Sequence, residues 1–246
     1  MPNVGNLQNL KQLSITNCAI KKVNLTEEVL PNLESLDLRQ NQITTLWGLH
    51  SLIKLQTLSL SHNQVGKSMT ICQKDTVMPK LLFPNLITLF LDHNDIRSLA
   101  GFNFENMPML KYLFLQHNEL QDINGVQSCV GLETLVVDHN KIQVITEEDF
   151  HSDNNIRSFF SEYNKIKFLN FVRRLTKIEK LFVSNNKVSD KDQIKNLGTL
   201  KRLKEITILG NPLCKRTNHY KLALQALVTL RRIDGHSVIP KDYLDD

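Results

Sequence analysis

Leu86–Leu99 reads LITLFLDHNDIRSL and carries the spacing L-x-x-L-x-L-x-x-N-x-I-x-x-L on Leu86, Leu89, Leu91, Asn94, Ile96 and Leu99. Leu89 and Leu91 alternate as one face of a short strand does. Asn94 follows where the chain turns, and its side-chain amide can bond backbone groups that no strand ladder reaches. Ile96 and Leu99 then serve as apolar plugs on the return path. One such unit cannot bury its own apolar face, so it has to stack on copies of itself.

The copies are present on both sides. Before the template come Leu10-Leu13-Ile15-Cys18-Ile20, Leu33-Leu36-Leu38-Asn41-Ile43 and Leu55-Leu58-Leu60-Asn63-Val65. After it come Leu110-Leu113-Leu115-Asn118-Leu120 and Leu132-Leu135-Val137-Asn140-Ile142, then a degenerate unit, Ile156-Phe159-Ser161-Asn164-Ile166. The array ends with Ile178-Leu181-Val183-Asn186-Val188 and Leu203-Ile206-Ile208-Asn211-Leu213. The count is about nine units over 10–213, with a terminal stretch, 214–246, left to close the array. All of 1–246 then forms one elongated body. Successive units are 22–25 residues apart, except for a step of 31 between Leu55 and Leu86. The extra residues fall in Gly66–Pro84, GKSMTICQKDTVMPKLLFP, which is expected on the convex side or an edge and is a second candidate contact.

Apolar residues make up 41% of the 246, enough for a continuous solenoid core. No apolar run approaches the roughly 18 residues of a membrane span, so no membrane partner is expected. The start, MPNVGNLQNL, has neither the charged nor the apolar region of a signal peptide. It also opens directly on the repeat rhythm, which reads as an array cut from a longer chain. Cys18, Cys72, Cys129 and Cys214 are scattered, without the terminal clusters that close extracellular arrays, and are read as reduced thiols in an intracellular protein. Cys18, at an asparagine position, is expected to be buried. Net charge is +5, but Lys165–Arg232 alone holds 17 basic residues against 4 acidic ones. That excess could attract nucleic acid, although no aromatic residues interleave it as in an RNA platform. A solvated convex face on the last three repeats is the preferred reading.

Short helices or 3₁₀ turns are expected over Thr26–Leu30, Thr146–Phe150, Phe168–Leu175 and Ser189–Leu197, each with a start signal or an apolar face. In Phe168–Leu175 the apolar face is 168, 169, 171, 172 and 175, with Arg173 and Arg174 outward. The end of the chain carries Gly210-Asn211-Pro212-Leu213, an amphipathic Tyr220–Leu230, and Arg232-Ile233-Asp234-Gly235. With these marks the chain resembles the 22-residue-repeat family of intracellular leucine-rich-repeat proteins. That family includes a regulatory subunit of protein phosphatase 1 and a spliceosomal ribonucleoprotein component, together with ciliary, centrosomal and axonemal proteins. The resemblance implies a C-terminal cap and a non-enzymatic protein-binding platform. It places the chain in the cytoplasm, with cilium, centrosome or nucleus as further settings.

The fold expected is of the α/β class: a right-handed leucine-rich-repeat solenoid with a parallel concave sheet and short helices or turns on the convex side. The residue between the second and third template leucines then points to the concave surface. That column reads Ser14, Asp37, Ser59, Phe90, Phe114, Val136, Phe160, Phe182 and Thr207, an apolar ridge where solvent is expected. Stacking of the rings on one another is the bland alternative. Beside the ridge lie Asp92, Asp138 and Glu162, and Tyr112 flanks it on the other side. This mix suits a basic-rimmed protein surface, and Phe90, Asp92, Tyr112, Phe114, Val136, Asp138, Phe160, Glu162 and Phe182 are the candidate partner-binding residues. His62, His93, His117 and His139 form a further column. Side chains on successive strands run parallel instead of converging on an ion, so no metal and no other cofactor is read from it. No nucleophile elbow, phosphate loop or carboxylate pair in a cleft is present, so no enzyme is expected. The function read from sequence is protein binding by a monomeric array inside a larger scaffold or regulatory protein. A ribonucleoprotein component using Lys165–Arg232 is the alternative.

Overall fold

A computed structural model describes residues 7–23, 25, 30–46, 48–49, 52–69, 83–215, 224 and 227–238. Each repeat contributes one three-residue strand: β1 Gln12–Ser14, β2 Ser35–Asp37, β3 Thr57–Ser59, β4 Thr88–Phe90, β5 Tyr112–Phe114, β6 Thr134–Val136, β7 Ser158–Phe160, β8 Lys180–Phe182 and β9 Glu205–Thr207. They pair in chain order, all parallel and in register, so that Leu13, Leu36, Leu58, Leu89, Leu113, Leu135, Phe159, Leu181 and Ile206 form one row. From Leu36 onward that row is fully buried. Residues before and after it point to the other face and stay half-buried in most strands. The sheet ends with β10 (Arg232–Ile233), parallel to β9, and β11 (His236–Ser237), antiparallel to β10.

Three residues make a narrow strand, and the template asparagines do the rest of the fastening. Asn118 Nδ2 donates to its own turn at Leu115 O (2.9 Å) and to the preceding repeat at Leu91 O (2.9 Å). Its Oδ1 accepts from Asn94 N and Ile96 N, both at 3.0 Å. Asn41, Asn63, Asn94, Asn140, Asn164, Asn186 and Asn211 repeat the arrangement, each joining its own turn to the coil before it. All eight are nearly or fully buried. Backbone groups leaving the sheet would otherwise be unpaired and buried, which is costly.

Local fits and misfits have visible causes. The degenerate repeat balances a large Phe159 against the small, fully buried Ser161, and fills the space with Phe150 and Phe171 edge-on to Phe159. Convex turns are 3₁₀ at Glu147–Asp149, Asn170–Arg174 and Lys191–Thr199. The first is closed by Asp149, whose carboxylate accepts from Thr146 N and Oγ1; the third is capped by Asp190, which accepts from Asp192 N. Phe168 departs from the expected apolar face: it is exposed, whereas Leu169, Phe171, Val172 and Leu175 are buried, because the 3₁₀ turn starts only at Asn170. Cys18 is exposed as well, contrary to expectation, since no earlier coil among the described residues lies over it; its N–H is still taken by Asn41 Oδ1 at 3.0 Å. Leu10, Leu13 and Ile15 in the same coil are only partly buried. Among the described residues Cys18 and Cys129 are free thiols, and burial pushes the Cys129 thiol up to about 12.

The long step between β3 and β4 opens with a four-residue helix, α1 (Gly66–Met69). Gly66 is required there: a Cβ would stand 2.2 Å from Asp95 O. The remainder of the insertion up to 82, Cys72, residues 26–29 and most of Tyr220–Leu230 lie outside the described residues.

Asn118→Ala should remove five hydrogen bonds, most of them buried. It is expected to lower stability by about 1–3 kcal/mol. Lys187→Ala, at an exposed position, should stay within about 0.5 kcal/mol. Urea midpoints of the two variants check this.

Candidate functional site

The sheet face bears four columns, and register makes each one straight. The ridge residues Phe90, Phe114, Val136, Phe160 and Phe182 occupy equivalent positions on β4 to β8. Phe90 and Phe114 stack with centroids 4.6 Å apart, and Phe160 meets Phe182 edge-on at 4.7 Å. Val136 separates the two pairs. The rings are half-buried: each covers its neighbour and leaves an edge to solvent. Tyr112, two residues before Phe114, is exposed.

Two residues beyond the ridge is the acidic column. Asp92 is nearly buried; Oδ1 accepts from Ser61 Oγ (2.5 Å) and Oδ2 lies 3.1 Å from His93 Nδ1. Asp138 Oδ1 accepts from Glu162 N at 2.6 Å. Burial pushes Asp138 up to about 6, with the Glu162 charge adding to the shift and that N–H opposing it. Glu162 Oε1 accepts from the Thr207 hydroxyl, two repeats on. The nine candidate residues are therefore brought together on one face, but Asp92 presents little of itself to solvent.

The next column is the one the sequence marks by its histidines; its shared backbone and continuous stacking appear only in the structure. Asn17, Gln40, His62, His93, His117, His139, Tyr163 and Asn185 all adopt left-handed backbone, with φ between 54 and 57°. Each precedes the template asparagine or its equivalent, where the chain swings out of the sheet, and Asn and His tolerate that region better than most residues. The shared conformation aims the side chains alike, so His62, His93, His117, His139 and Tyr163 stack as one ladder. Centroid spacings are 4.0, 4.3, 4.3 and 4.2 Å, and neighbouring planes differ by 9–20°. The residue before each asparagine was the available signal. Burial, and then the neighbouring His139 and His93, hold His117 below the ordinary imidazole range.

His62, Asp92 and His93 bring potential ligand atoms within 4.8 Å of one another, the sole such grouping of three among the described residues. A shared ion must lie in the plane of each imidazole, along its lone pair. Rings stacked 4.0 Å apart and 18° from parallel cannot offer one ion two such positions. The stacking that builds the ladder is thus incompatible with a metal centre in this arrangement. Beside it a shallow depression is lined by Thr16, Arg39, Gln40, Ser61, His62 and Asp92, but Arg39 is committed to Asp37 at 2.8 Å. The Arg39 hydrogen bond holds Asp37 below the usual carboxylate range.

The described basic residues of Lys165–Arg232 do not form one patch. Lys165 and Lys187 sit just after template asparagines, Lys180 on β8, Arg173, Lys191 and Lys195 on the 3₁₀ turns, and Lys201 and Arg202 on the descending link. Several are engaged: Lys195 with Asp192, Lys204 with Glu179, Arg232 with Glu205, and Arg173 with Asn196. A continuous cationic groove, which phosphate tracking needs, is not built from them.

Residues 8–65 and 84–129 match the leucine-rich-repeat family. The chain folds as a leucine-rich-repeat solenoid. The units of β6 to β9, outside the matched stretches, repeat the same strand and asparagine geometry. Internalin C2 of Listeria monocytogenes is similar in structure, with a TM-score of 0.60 and 23% identity over 79% of this chain and 80% of that one. So is the internalin InlF of the same bacterium, with a TM-score of 0.60 and 20% identity over 93% of this chain and 67% of that one. At such identities the likeness is one of fold. No curated protein matches the chain in sequence. Leucine-rich-repeat domains generally serve as non-enzymatic protein–protein interaction modules. No helix among the described residues is long and apolar enough to cross a membrane.

Two predictions follow the burial pattern. Phe159→Ala should cost about 3–5 kcal/mol of stability, and Phe114→Ala distinctly less, because a half-buried ring loses fewer contacts; thermal melts compare them. Asp138 binds its proton more tightly folded than unfolded, so its contribution falls as pH rises from about 4 to about 6. Asp138→Asn, which keeps an acceptor for Glu162 N, should therefore gain roughly 1–3 kcal/mol at neutral pH and nothing below about pH 4, as read from denaturant midpoints.

Proposed function

We propose that the chain is a protein-binding module whose sheet face, centred on the Phe ridge, receives a protein partner. The observation that carries this reading is the unbroken apolar row Phe90, Phe114, Val136, Phe160, Phe182, set between polar columns on a face that the fold leaves open. A row of half-exposed rings on otherwise polar surface marks contact sites more often than it serves stability. The carboxylates beside it favour a basic-rimmed partner surface. Tyr112, at the exposed flank, adds a ring with a polar tip.

The wider reading is a monomeric recognition element within a single domain, 1–246, of a larger intracellular scaffold or regulatory protein. Cytoplasm, cilium and centrosome are the settings that the resemblance to 22-residue-repeat proteins favours. The free thiols Cys18 and Cys129 support a reducing compartment. A ribonucleoprotein role ranks second, because the basic residues that would carry it are dispersed over several faces.

Phe114 lies inside the ridge, between Phe90 and Val136, away from the rim, where binding energy concentrates. With a partner captured from cell extract and identified by mass spectrometry, Phe114→Ala should cost about 2–4 kcal/mol, or roughly 30- to 800-fold in affinity. The complex should weaken little with added salt. Steep loss between roughly 50 and 200 mM salt, with nucleic acid in the captured material, would favour the ribonucleoprotein reading.

A further inference from the structure

The sheet face is an anomaly in a basic protein. Lys and Arg together number 30 in the chain, yet none occupies the four columns of the third to seventh repeats, residues 57, 59, 61, 62 through 158, 160, 162, 163. The same columns hold Asp92, Asp138 and Glu162. Carboxylates just before the strands are matched with cations: Glu34 with Lys11, Glu133 with Lys111, and Glu179 with both Arg157 and Lys204. Asp138 and Glu162 make no ion pair among the described residues, and Asp92 has only His93. On the sheet face the matched pair Asp37–Arg39 lies in the second repeat, and from the third to the seventh the columns hold carboxylates without Lys or Arg.

The imidazole ladder borders the unmatched carboxylates over the same repeats. Its rings cover one another's faces, and the one nitrogen with a described partner, His93 Nδ1, turns toward the acidic column, 3.1 Å from Asp92 Oδ2. A neutral imidazole edge offers one acceptor nitrogen, which can receive an N–H from a cation. Once protonated it offers only donors, and adjacent charges about 4 Å apart repel one another and any cationic guest.

We propose that the strip between the Phe ridge and the imidazole ladder seats a lysine- or arginine-bearing segment of a protein partner, and holds it only while the ladder is uncharged. The proposal rests on the sheet-face reading and adds the guest's chemistry and its control. Burial holds His117 below the ordinary imidazole range and pushes Asp138 up to about 6, which supports the second half: acidification neutralises a carboxylate and charges an imidazole on adjacent columns. The other charges facing the strip are few. Arg39 is held by Asp37 at the N-terminal end, and Lys180 stands at the C-terminal end. On the turn side are Asp95, the Glu119–Lys141 pair, Lys165 and Lys187.

The test uses the full chain and fluorescein-labelled nonamers of arginine, lysine and glutamate, read by anisotropy at about 100 mM salt. At about pH 7.5 the cationic peptides should bind at least about tenfold more tightly than the glutamate peptide. Asp138→Asn with Glu162→Gln should weaken them about tenfold, while Glu34→Gln, at a matched carboxylate, should change Kd less than about twofold. Lowering the pH to about 5.5 should weaken binding about tenfold in the parent, and far less in a His93→Gln, His117→Gln, His139→Gln variant. Gln40 already holds this left-handed position at φ 57°, so glutamine suits the backbone there. Equal binding of glutamate peptide, no effect of the carboxylate pair, or an undiminished pH response in the histidine variant each overturns the proposal. None of these outcomes touches the ridge itself, which stands or falls on partner capture by Phe114→Ala.

Discussion

The structure depends on one side-chain amide per coil. A parallel strand of three residues has too few ladder bonds to hold its neighbour, and the chain leaves the sheet with polar backbone that must not be buried unpaired. The asparagine answers both needs because its two halves act on different coils. Asn140, for example, donates to Val137 O in its own turn and to Leu115 O in the coil before it, while its Oδ1 takes Leu120 N. An amide so committed sets the rise from coil to coil as well as the shape of the turn. Aspartate cannot substitute in this role, since it has no donor for the two carbonyls.

Everything on the sheet face inherits that spacing. Fixed rise makes the columns straight, and the left-handed residue before each amide is the direct reason that four imidazoles and a phenol stack at 4.0–4.3 Å. The column ends for a local reason. Gly210 occupies the ladder position of the ninth repeat at φ +82°, and a Cβ there would sit 2.3 Å from Asn185 Oδ1. Past it the sheet closes by a different device. Asp234, at the turn between β10 and β11, accepts from Ile208 N (2.7 Å) and Leu209 N (2.9 Å) through one carboxylate oxygen. In earlier repeats the residue equivalent to Ile208 bonds instead to a backbone carbonyl of the next strand, as Val183 N does to Thr207 O.

What the sequence discloses, and what it hides, divides along the same line. The leucine row and the asparagines were legible because each repeat imposes the same spacing, so a substitution such as Phe159 or Ser161 stands out without breaking the frame. The ridge was legible because strand alternation is strict. Its half-burial was not, since that depends on rings from separate repeats, such as Phe90 and Phe114, meeting across the sheet. Cys18 was misjudged for a related reason: a template position implies burial only where another coil lies over it. Phe168 was misjudged because an apolar spacing was read as a helix one turn longer than the 3₁₀ segment that forms. The insertion between α1 and Phe83 adds length without the spacing that makes the repeats readable.

Charge is where linear reading misleads most in a solenoid. A coil of 22–25 residues carries the chain once around its own cross-section, so a run of basic residues longer than one coil is spread over every face. Lys165–Arg232 spans about three coils and disperses accordingly. Residues one coil apart, by contrast, become neighbours. Glu133 and Lys111 pair across 22 positions, as do Glu179 and Arg157, and Glu179 reaches Lys204 across 25. Electrostatic character in such a protein therefore belongs to columns. Summed along the chain, the charge is basic; summed down the columns beside the Phe ridge, it is acidic between the second and eighth strands. A partner meets columns, because it approaches the stacked face and spans several coils at once. The local sign of that face, opposite to the sign of the molecule, is what its chemistry must match.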